Sequence, residues 1–159
     1  MGYSIIIPIY KEEKNIAKMI RKVKYELNNK VKYELVFIDD DSADNSEKIF
    51  NKNKNKNTKL YIRKKKPRDL SKSVVFGFEK SKYHNLIVMD GDLQHNPRDI
   101  IKLIKQVIIT KITRAIGFAK NDILFSDNIK FVYYIRLSII AIVYVKNHIL
   151  IVIIINVCF

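Results

Sequence analysis

The sequence predicts an α/β fold in which a mostly parallel sheet carries helices on both faces. Short runs rich in β-branched residues alternate along the chain with segments whose apolar residues recur at helical spacing. The strand-like runs are apolar throughout, which is typical of strands that helices cover on both sides. The segments between successive strands are long enough to hold a helix, and this favours right-handed crossovers between parallel neighbours.

The first three predicted strands are joined by two predicted helices. The strands are residues 4–10 (SIIIPIY), 33–39 (YELVFID) and 59–63 (KLYIR). Between the first two strands, the apolar face of a helix is formed by Ile16, Met19, Ile20, Val23 and Leu27. Asp44 and Glu47 have the spacing of a capping box, which predicts the start of a second, short helix.

A fourth predicted strand lies between two further helices. Residues 71–82 (SKSVVFGFEKSK) predict a helix, and residues 86–90 (LIVMD) predict the strand. The side chains of that helix expected to point inward are Val74, Val75 and Phe78. Asn96 is the predicted N-cap of the next helix, and Pro97 fits its first position. The buried stripe of this last helix consists of Ile100, Ile101, Ile104 and Ile108.

The alternation weakens after about residue 110. Residues 114–120 (RAIGFAK) are a candidate fifth strand, and residues 125–128 (FSDN) a candidate turn. Residues 129–159 are mostly apolar, but their uninterrupted runs are shorter than the roughly 20 residues of a membrane-spanning helix. A single span would bury the charge of Lys146 at a cost of about 3 kcal/mol. A helix in the membrane interface, a true span and a core segment of an incomplete domain all remain open.

The composition is that of a globular protein with a strongly basic surface. The chain has 159 residues and a formal net charge of +14, and this length suits one domain with a single core. We expect a domain over residues 1–125 and an apolar, membrane-associated or degraded segment over residues 126–159. The one cysteine, Cys158, excludes an internal disulfide framework. The opening MGYSIIIPIYKEE reaches a proline and charges too early for a secretory signal peptide.

The basic excess could serve nucleic acid, phosphate groups or an anionic membrane surface. Much of it lies in residues 51–68, an Asn/Lys-rich run. Aromatic residues are not interleaved through this run in the way that stacking on a single strand requires. We therefore interpret it as a solvated loop and expect no nucleic-acid partner. Binding of nucleic acid or of an anionic surface through these basic residues is kept as the weakest hypothesis, behind the two functions described below.

Polar and acidic residues follow three of the predicted strands at the point where each strand ends. They are Pro8, Tyr10 and Glu12 after the first, Asp39, Asp40 and Asp41 after the second, and Asp90, Gly91 and Asp92 after the fourth. Ligands of open parallel sheets bind beyond the carboxyl ends of the strands, so we expect these residues to converge there. The chain has neither the glycine pattern of a dinucleotide-binding fold nor a P-loop. Its carboxylates would instead suit Mg²⁺ or Mn²⁺ with diphosphate oxygens completing the shell.

Four segments together resemble a known family in their order and spacing. They are SIIIPIYKEEKNI, VFIDDDSADNS, RDLSKSVVFGFEKSK and LIVMDGDLQHNPRDI. The resemblance covers roughly residues 3–105, about two thirds of the chain. The chain is similar here to family 2 glycosyltransferases of the polyprenyl-phosphate type. The resemblance implies a GT-A fold with an incomplete C-terminal part. It also implies transfer of a sugar from a nucleotide-sugar donor, GDP-mannose or UDP-glucose, to polyprenyl or dolichyl phosphate. The protein would then act at the cytoplasmic face of a membrane, as a peripheral or C-terminally anchored protein.

The same resemblance implies roles for individual residues. The nucleotide base and ribose would be lined by Pro8, Tyr10, Glu12, Ile38 and Asp39. Asp90 would contact the sugar or ribose, and Gly91 would lie against the nucleotide. Asp92 and Gln94 would help to hold Mg²⁺ or Mn²⁺ and the diphosphate. Asp90 and Asp92 are the expected catalytic residues.

Some positions depart from the family pattern. Asp69 stands where the family usually has Gly, and Ser73 where it usually has Ala. The family continues Ile-Gly-Ser-Arg after its fifth strand, with the arginine facing the donor phosphates, whereas this chain has Ile116, Gly117, Phe118 and Ala119. Residues 131–145 resemble the family's amphipathic helix near the membrane. These departures keep a second function open, namely a catalytically inactive member that retains nucleotide binding.

Overall fold

A computed structural model describes residues 1–64, 66–94, 96–105, 132–135, 138–145 and 148–153. In the last three of these ranges it describes the backbone alone. The predicted fifth strand, the predicted turn and Ile108 lie outside the described residues.

The centre of the fold is a sheet of four parallel strands. In chain order they are β1 (Gly2–Ile9), β2 (Lys32–Asp39), β3 (Thr58–Ile62) and β4 (Asn85–Val88), and they lie in the order β3-β2-β1-β4. The register places Ser4 opposite Glu34 and Ile9 opposite Asp39. Because the strands run in the same direction, their amino ends meet at one edge of the sheet and their carboxyl ends at the other.

Helices cover both faces of this sheet, as the sequence predicts. They are α1 (Glu13–Leu27), α2 (Ser46–Asn53), α3 (Leu70–Lys80) and α4 (98–105). The apolar residues of α1, α2 and α4 share one buried cluster with Ile5 and Ile7 of β1. Ile6 of the same strand points to the opposite face and packs with Val74, Phe76 and Phe78 of α3. The alternation along β1 therefore divides the core between two faces.

The predictions for individual helices differ in outcome. The buried face of α1 is confirmed. The capping box with Asp44 in the cap position is wrong, because α2 begins at Ser46 with Asn45 as its N-cap, and Asp44 accepts a hydrogen bond from the Ser46 backbone N at 2.9 Å. Asn96 accepts a hydrogen bond from the Arg98 backbone N at 3.1 Å, which confirms its capping role.

The predicted inward position of Val75 is wrong, because 53% of its surface is exposed. The inward line of α3 runs through Ser73 and Gly77, both buried. A Cβ at Gly77 would collide with a methyl group of Ile6, so this glycine brings α3 close to β1 and turns Val75 outward.

The backbone of the later described residues forms a second sheet. It is antiparallel and contains β5 (Val132–Ile135), β6 (Ser138–Val145) and β7 (His148–Ile153). The amphipathic helix expected over residues 131–145 is therefore not what the structure has. The run is dense in Ile, Val and Tyr, and these residues favour strands over helices. Among the described residues, every helix is too short or too polar to cross a bilayer.

Candidate functional site

The carboxyl edge of the sheet is extended by hydrogen bonds beyond the strand ends. The backbone N of Asp40 donates to the carbonyl of Ile9 at 3.0 Å, and that of Arg63 donates to the carbonyl of Asp39 at 2.8 Å. These bonds carry the ladder one residue past β2 and β3. As a result, residues that are far apart in sequence come to lie side by side at this edge.

A cleft of about 270 Å³ opens at this edge of the sheet. It is lined by Pro8, Ile9, Tyr10, Asp40, Arg68, Asp69, Leu70 and Ser73. Two of the residues predicted to contact a nucleotide, Pro8 and Tyr10, are among them. The Tyr10 ring is 4.3 Å from the guanidinium carbon of Arg68 and 5.4 Å from the Lys11 Nζ, measured to the ring centroid. An aromatic face beside two cations suits a ligand that is both planar and anionic.

A buried ion pair lies behind this cleft. An Asp40 oxygen is 2.5 Å from an Arg63 guanidinium nitrogen, and the side chains are only 9% and 5% exposed. Arg63 also donates to the Ser73 hydroxyl at 3.2 Å and to the Pro67 carbonyl at 3.1 Å. The other Asp40 oxygen accepts from the Asp69 backbone N at 2.8 Å. The pair therefore connects the strand ends to the loop that leads into α3.

Asp39, a predicted nucleotide contact, is buried at the end of β2. Only 2% of its surface is exposed, and one carboxylate oxygen accepts from the Ser42 backbone N at 2.9 Å. Burial raises the pKa of Asp39, because the hydrogen bonds from Ser42 do not fully offset it and the nearby charges of Asp44 and Asp41 act in the same direction as burial. Asp39 is not among the residues that line the cleft, so its contact with a nucleotide stays a prediction.

Asp41, next along the chain, behaves in the opposite way. Its carboxylate lies 2.7 Å from the Lys66 Nζ, and this contact holds the pKa of Asp41 below its ordinary value. The side chain is exposed, with 40% of its surface accessible. Asp41 has a positive φ of 61°, a backbone conformation that residues other than glycine adopt mainly in turns. It belongs to the loop surface.

Glu12 and Ile38 are placed differently from the other predicted nucleotide contacts. Glu12 precedes α1, where its carbonyl accepts from the Asn15 backbone N at 2.9 Å and its carboxylate accepts from the Asn15 amide at 2.6 Å. Ile38 is fully buried, and its side chain packs in the cluster beneath α3. The structure places Glu12 at a helix start and the Ile38 side chain in the core, and contact of either residue with a nucleotide stays a prediction.

Gly91 holds the acidic turn that follows β4 against β1. A Cβ on this residue would lie 2.7 Å from the Ile9 Cγ2 and 3.4 Å from the Pro8 carbonyl oxygen, so a larger residue would push the turn away. Asp90 and Asp92 flank the glycine, and both are half-buried. The predicted convergence at one edge therefore holds for this turn, because Gly91 touches the strand that carries Pro8.

The predicted metal ligands follow in the same turn. An Asp92 carboxylate oxygen accepts from the Gln94 backbone N at 3.0 Å, and Gln94 is exposed. Within the part of the chain that the structure describes, no three His, Cys, Asp or Glu residues come together as a metal site. Mg²⁺ in nucleotide sites commonly uses one or two carboxylates and takes its other oxygens from phosphates and water. Asp92 and the Gln94 amide oxygen fit a metal of that kind, which binds together with a diphosphate.

Sequence reasoning missed the importance of Arg63 and Asp40. The sequence predicts that Asp40 is one of the acidic residues at the carboxyl edge and that Arg63 is the last residue of a strand, but it does not predict that the two form an ion pair. The available signal was a single arginine at the end of an apolar strand, with a carboxylate at the end of the neighbouring one. The basic residues that follow Arg63 concealed this signal.

Comparisons with known sequences agree on one family. The family described as Glycosyl transferase family 2 matches residues 4–120. The dolichol-phosphate mannosyltransferase of Pyrococcus furiosus is 36% identical over 107 residues, which are 67% of this chain and 30% of that protein. The enzyme of the same name from Saccharomyces cerevisiae is 33% identical over 109 residues, or 66% of this chain and 40% of that protein. An undecaprenyl-phosphate 4-deoxy-4-formamido-L-arabinose transferase of Proteus mirabilis is 30% identical over 104 residues, or 64% and 32%.

Comparisons with solved structures give the fold. The S. aureus TarS 1–349 structure in complex with UDP has a TM-score of 0.59 at 23% identity, covering 69% of this chain and 32% of that one. A mannosyltransferase from Pyrobaculum calidifontis in complex with GDP-Man and Mn²⁺ has a TM-score of 0.53 at 16% identity, covering 62% and 30%. The predicted GT-A fold is confirmed by these neighbours. The chain spans roughly a third of the length of these relatives, so the similarity concerns only one part of each of them.

Proposed function

The chain belongs to glycosyl transferase family 2, and we propose that it binds a nucleotide-sugar at the carboxyl edge of its sheet and transfers the sugar to polyprenyl phosphate. The observation that carries this proposal is the cleft beside Tyr10, which lies where three of the four family-like segments meet. The names of the sequence relatives support the acceptor class, since each includes dolichol or undecaprenyl phosphate.

The cleft suits the nucleotide part of the donor. The exposed Tyr10 ring offers a stacking surface to the base of the nucleotide. Arg68 and Lys11, whose cations lie beside this ring, can pair with the phosphates of the nucleotide. Asp39 would accept hydrogen bonds from N–H or O–H groups of the base or ribose. Solved neighbours were obtained with UDP and with GDP-Man, so both GDP-mannose and UDP-glucose remain candidate donors.

The acidic turn suits the diphosphate and the sugar. Asp92 and Gln94 would hold Mg²⁺ or Mn²⁺, which when bound compensates the charge of the departing nucleoside diphosphate. Asp90 would contact the sugar, and Gly91 keeps both carboxylates close to β1. The acceptor phosphate is already anionic and needs little help from a general base. The chain's main task is therefore to hold donor and acceptor in line.

The surface next to the cleft suits an anionic membrane. Leu70 and Val75 expose 61% and 53% of their surface, and the exposed residues Arg68 and Lys72 lie beside them in sequence. Basic side chains near an anionic bilayer are each worth about 1 kcal/mol of attraction. These exposed residues support our proposal that the protein acts at the cytoplasmic face of a membrane, where its lipid acceptor would be found.

The proposal is tested by measuring nucleotide binding and sugar transfer on the same samples. GDP or UDP should raise the melting temperature more with Mn²⁺ than without it, and Asp92→Ala should abolish the metal-dependent part. Asp99→Ala, which removes a carboxylate paired with Lys102 on α4, is the matched control and should retain the shift. Transfer from GDP-mannose or UDP-glucose to polyprenyl phosphate should depend on Asp92 in the same way. Absence of any metal-dependent shift in wild-type protein would contradict the donor site.

A second candidate function is nucleotide binding without transfer. The observation that favours it is Phe118 and Ala119, which stand where family members resembling this chain have Ser-Arg. A metal-dependent melting shift together with no labelled lipid product would select this alternative. Labelled lipid product from either donor would exclude it.

A further inference from the structure

Arg63 holds three walls of the cleft in place but is not part of its lining. It pairs with Asp40, and it donates to the Ser73 hydroxyl. Through Asp40 it also reaches the Asp69 backbone N. Asp40, Asp69 and Ser73 all line the cleft. One buried guanidinium therefore fixes the end of β2, the loop before α3 and the first turn of α3 relative to one another.

The Asp40–Arg63 pair also sets the net charge of the cleft wall that a bound ligand would contact. Asp40 faces the cleft, and a lone carboxylate there would repel a diphosphate. The Arg63 cation compensates it from behind at 2.5 Å. Asp69, the other carboxylate of the lining, caps α3 by accepting from the Lys72 backbone N at 3.0 Å. Both carboxylates of the lining are therefore engaged by groups of the protein.

We propose that Arg63 and Asp40 are positioning residues that preform the nucleotide cleft by fixing residues 67–73 against the strand ends. The binding part of this inference rests on the function proposed above. Neither side chain needs to touch the donor. Their effect passes through the walls, in the way that buried supporting partners orient the groups that contact a ligand.

Two substitutions of opposite charge separate positioning from simple electrostatics. Asp40→Asn makes the cleft more positive, and Arg63→Gln makes it less positive. If the pair acted only through its charge, the first would strengthen GDP or UDP binding and the second would weaken it. Positioning predicts that both weaken binding, each by about tenfold, which is a typical contribution of supporting residues.

The amino edge of the same sheet provides a matched control. Glu34 pairs with Lys59 at 2.9 Å, and its side chain is only 5% exposed. Like the Asp40–Arg63 pair, it joins a carboxylate of the β2 segment to a cation of the β3 segment. Glu34→Gln should therefore lower stability while leaving the dissociation constants of GDP and UDP within about twofold of wild type, because additive effects are expected at well-separated sites.

Nucleotide affinity is measured by titration calorimetry with GDP and with UDP, in the presence of Mg²⁺, at a temperature where each variant is folded. Arg63→Lys, which keeps the cation and loses the planar group that reaches Ser73 and Pro67, provides a milder variant if Arg63→Gln does not fold. It should weaken binding in the same direction. Unchanged affinity in Asp40→Asn, or opposite effects of Asp40→Asn and Arg63→Gln, would overturn the proposal.

Hydrogen exchange tests the positioning itself without any nucleotide. The backbone amides of Asp69 and Ser73 should exchange faster in Asp40→Asn and Arg63→Gln, and by a larger factor than those of β1, whose exchange follows the free energy of global unfolding. Glu34→Gln should leave the amides of residues 67–73 as in wild type. If wild-type protein binds neither nucleotide but the exchange pattern holds, the proposed function fails and the positioning role stands. If exchange over residues 67–73 is unchanged, the positioning role fails whatever the nucleotide result.

Discussion

The two edges of one parallel sheet each bury a carboxylate of the β2 segment beside a cation of the β3 segment. At the amino edge, Glu34 accepts from the Ser4 hydroxyl at 2.6 Å and from the Lys82 backbone N at 2.5 Å, and it pairs with Lys59. At the carboxyl edge, Asp40 pairs with Arg63 and faces a cleft. The same kind of buried ion pair therefore lies at a closed edge of the sheet in one case and beside an open cleft in the other.

Packing around the two pairs explains the difference. At the amino edge the Tyr83 backbone N donates to Ser4 at 3.0 Å, and the Asn85 amide donates to the Gly2 carbonyl at 2.8 Å. A Cβ on Gly2 would lie 2.5 Å from the Tyr83 ring, so the ring closes over the end of β1. At the carboxyl edge, Tyr10 remains 38% exposed. Among the described residues, no aromatic ring covers this edge in the way that Tyr83 covers the amino edge. Polar groups satisfied by the protein indicate a role in stability, and an open cleft beside a buried carboxylate indicates ligand binding.

The largest effect should come from removing the buried cation. Arg63→Met should lower the free energy of unfolding by about 3–5 kcal/mol, since it leaves Asp40 charged and unpaired in the interior. Lys59→Met is its counterpart at the other edge, and should cost only about 0–1 kcal/mol because 43% of the Lys59 side chain is exposed. Urea unfolding of both variants measures the difference. Equal costs would break the comparison between the two edges.

The next effect concerns the carboxylate of the closed edge. Glu34→Gln should cost about 1–2 kcal/mol at neutral pH, since a charge-assisted hydrogen-bond network is weakened. Burial alone would raise the pKa of Glu34, but the hydrogen bonds from Ser4, Lys82 and Lys59 together lower it below its ordinary value of 4.5. The stability it contributes is therefore present above pH 4.5 and lost as the pH falls through its folded pKa. The difference between wild type and variant should shrink in acid, and a difference independent of pH would contradict this origin.

The smallest effect should have the opposite sign. Burial raises the pKa of Asp39 above its ordinary value of 3.8, so its contribution to stability is present below that pH and lost as the pH rises through the folded pKa. Asp39→Asn should therefore stabilise the protein at neutral pH, by about 0.5–1 kcal/mol, as is common when a functional residue is replaced. It should also weaken GDP and UDP binding. A variant that loses stability and keeps its affinity would place Asp39 with the structural residues.

Much of the fold and part of the site follow from the sequence. Continuous apolar runs and helical periodicity predict the four parallel strands and the buried face of α1. The position of Asp39 and Gly91 at the carboxyl edge follows from the strand ends alone. The outward turn of Val75 does not, because it depends on how closely Gly77 lets α3 approach Ile6. Nor does the Asp40–Arg63 pair, since periodicity carries no information about which charges meet across strands.

The resemblance to a family is a good guide to the fold and a poor guide to the later part of the chain. It correctly predicts the GT-A fold and the acidic turn after β4. It led us to expect a helix over residues 131–145, where the backbone forms strands. In that part of the chain the local preference of Ile, Val and Tyr for strands was the better predictor.

The most direct test of the account maps nucleotide binding onto the two edges by NMR. GDP or UDP with Mg²⁺ should shift the backbone amide signals of Tyr10, Asp39 and Gly91 at the carboxyl edge. The amides of Ser4 and Glu34 at the amino edge should stay unchanged. Shifts confined to the amino edge, or no shifts with either nucleotide at millimolar concentration, would contradict a nucleotide-sugar site at the carboxyl ends of the strands.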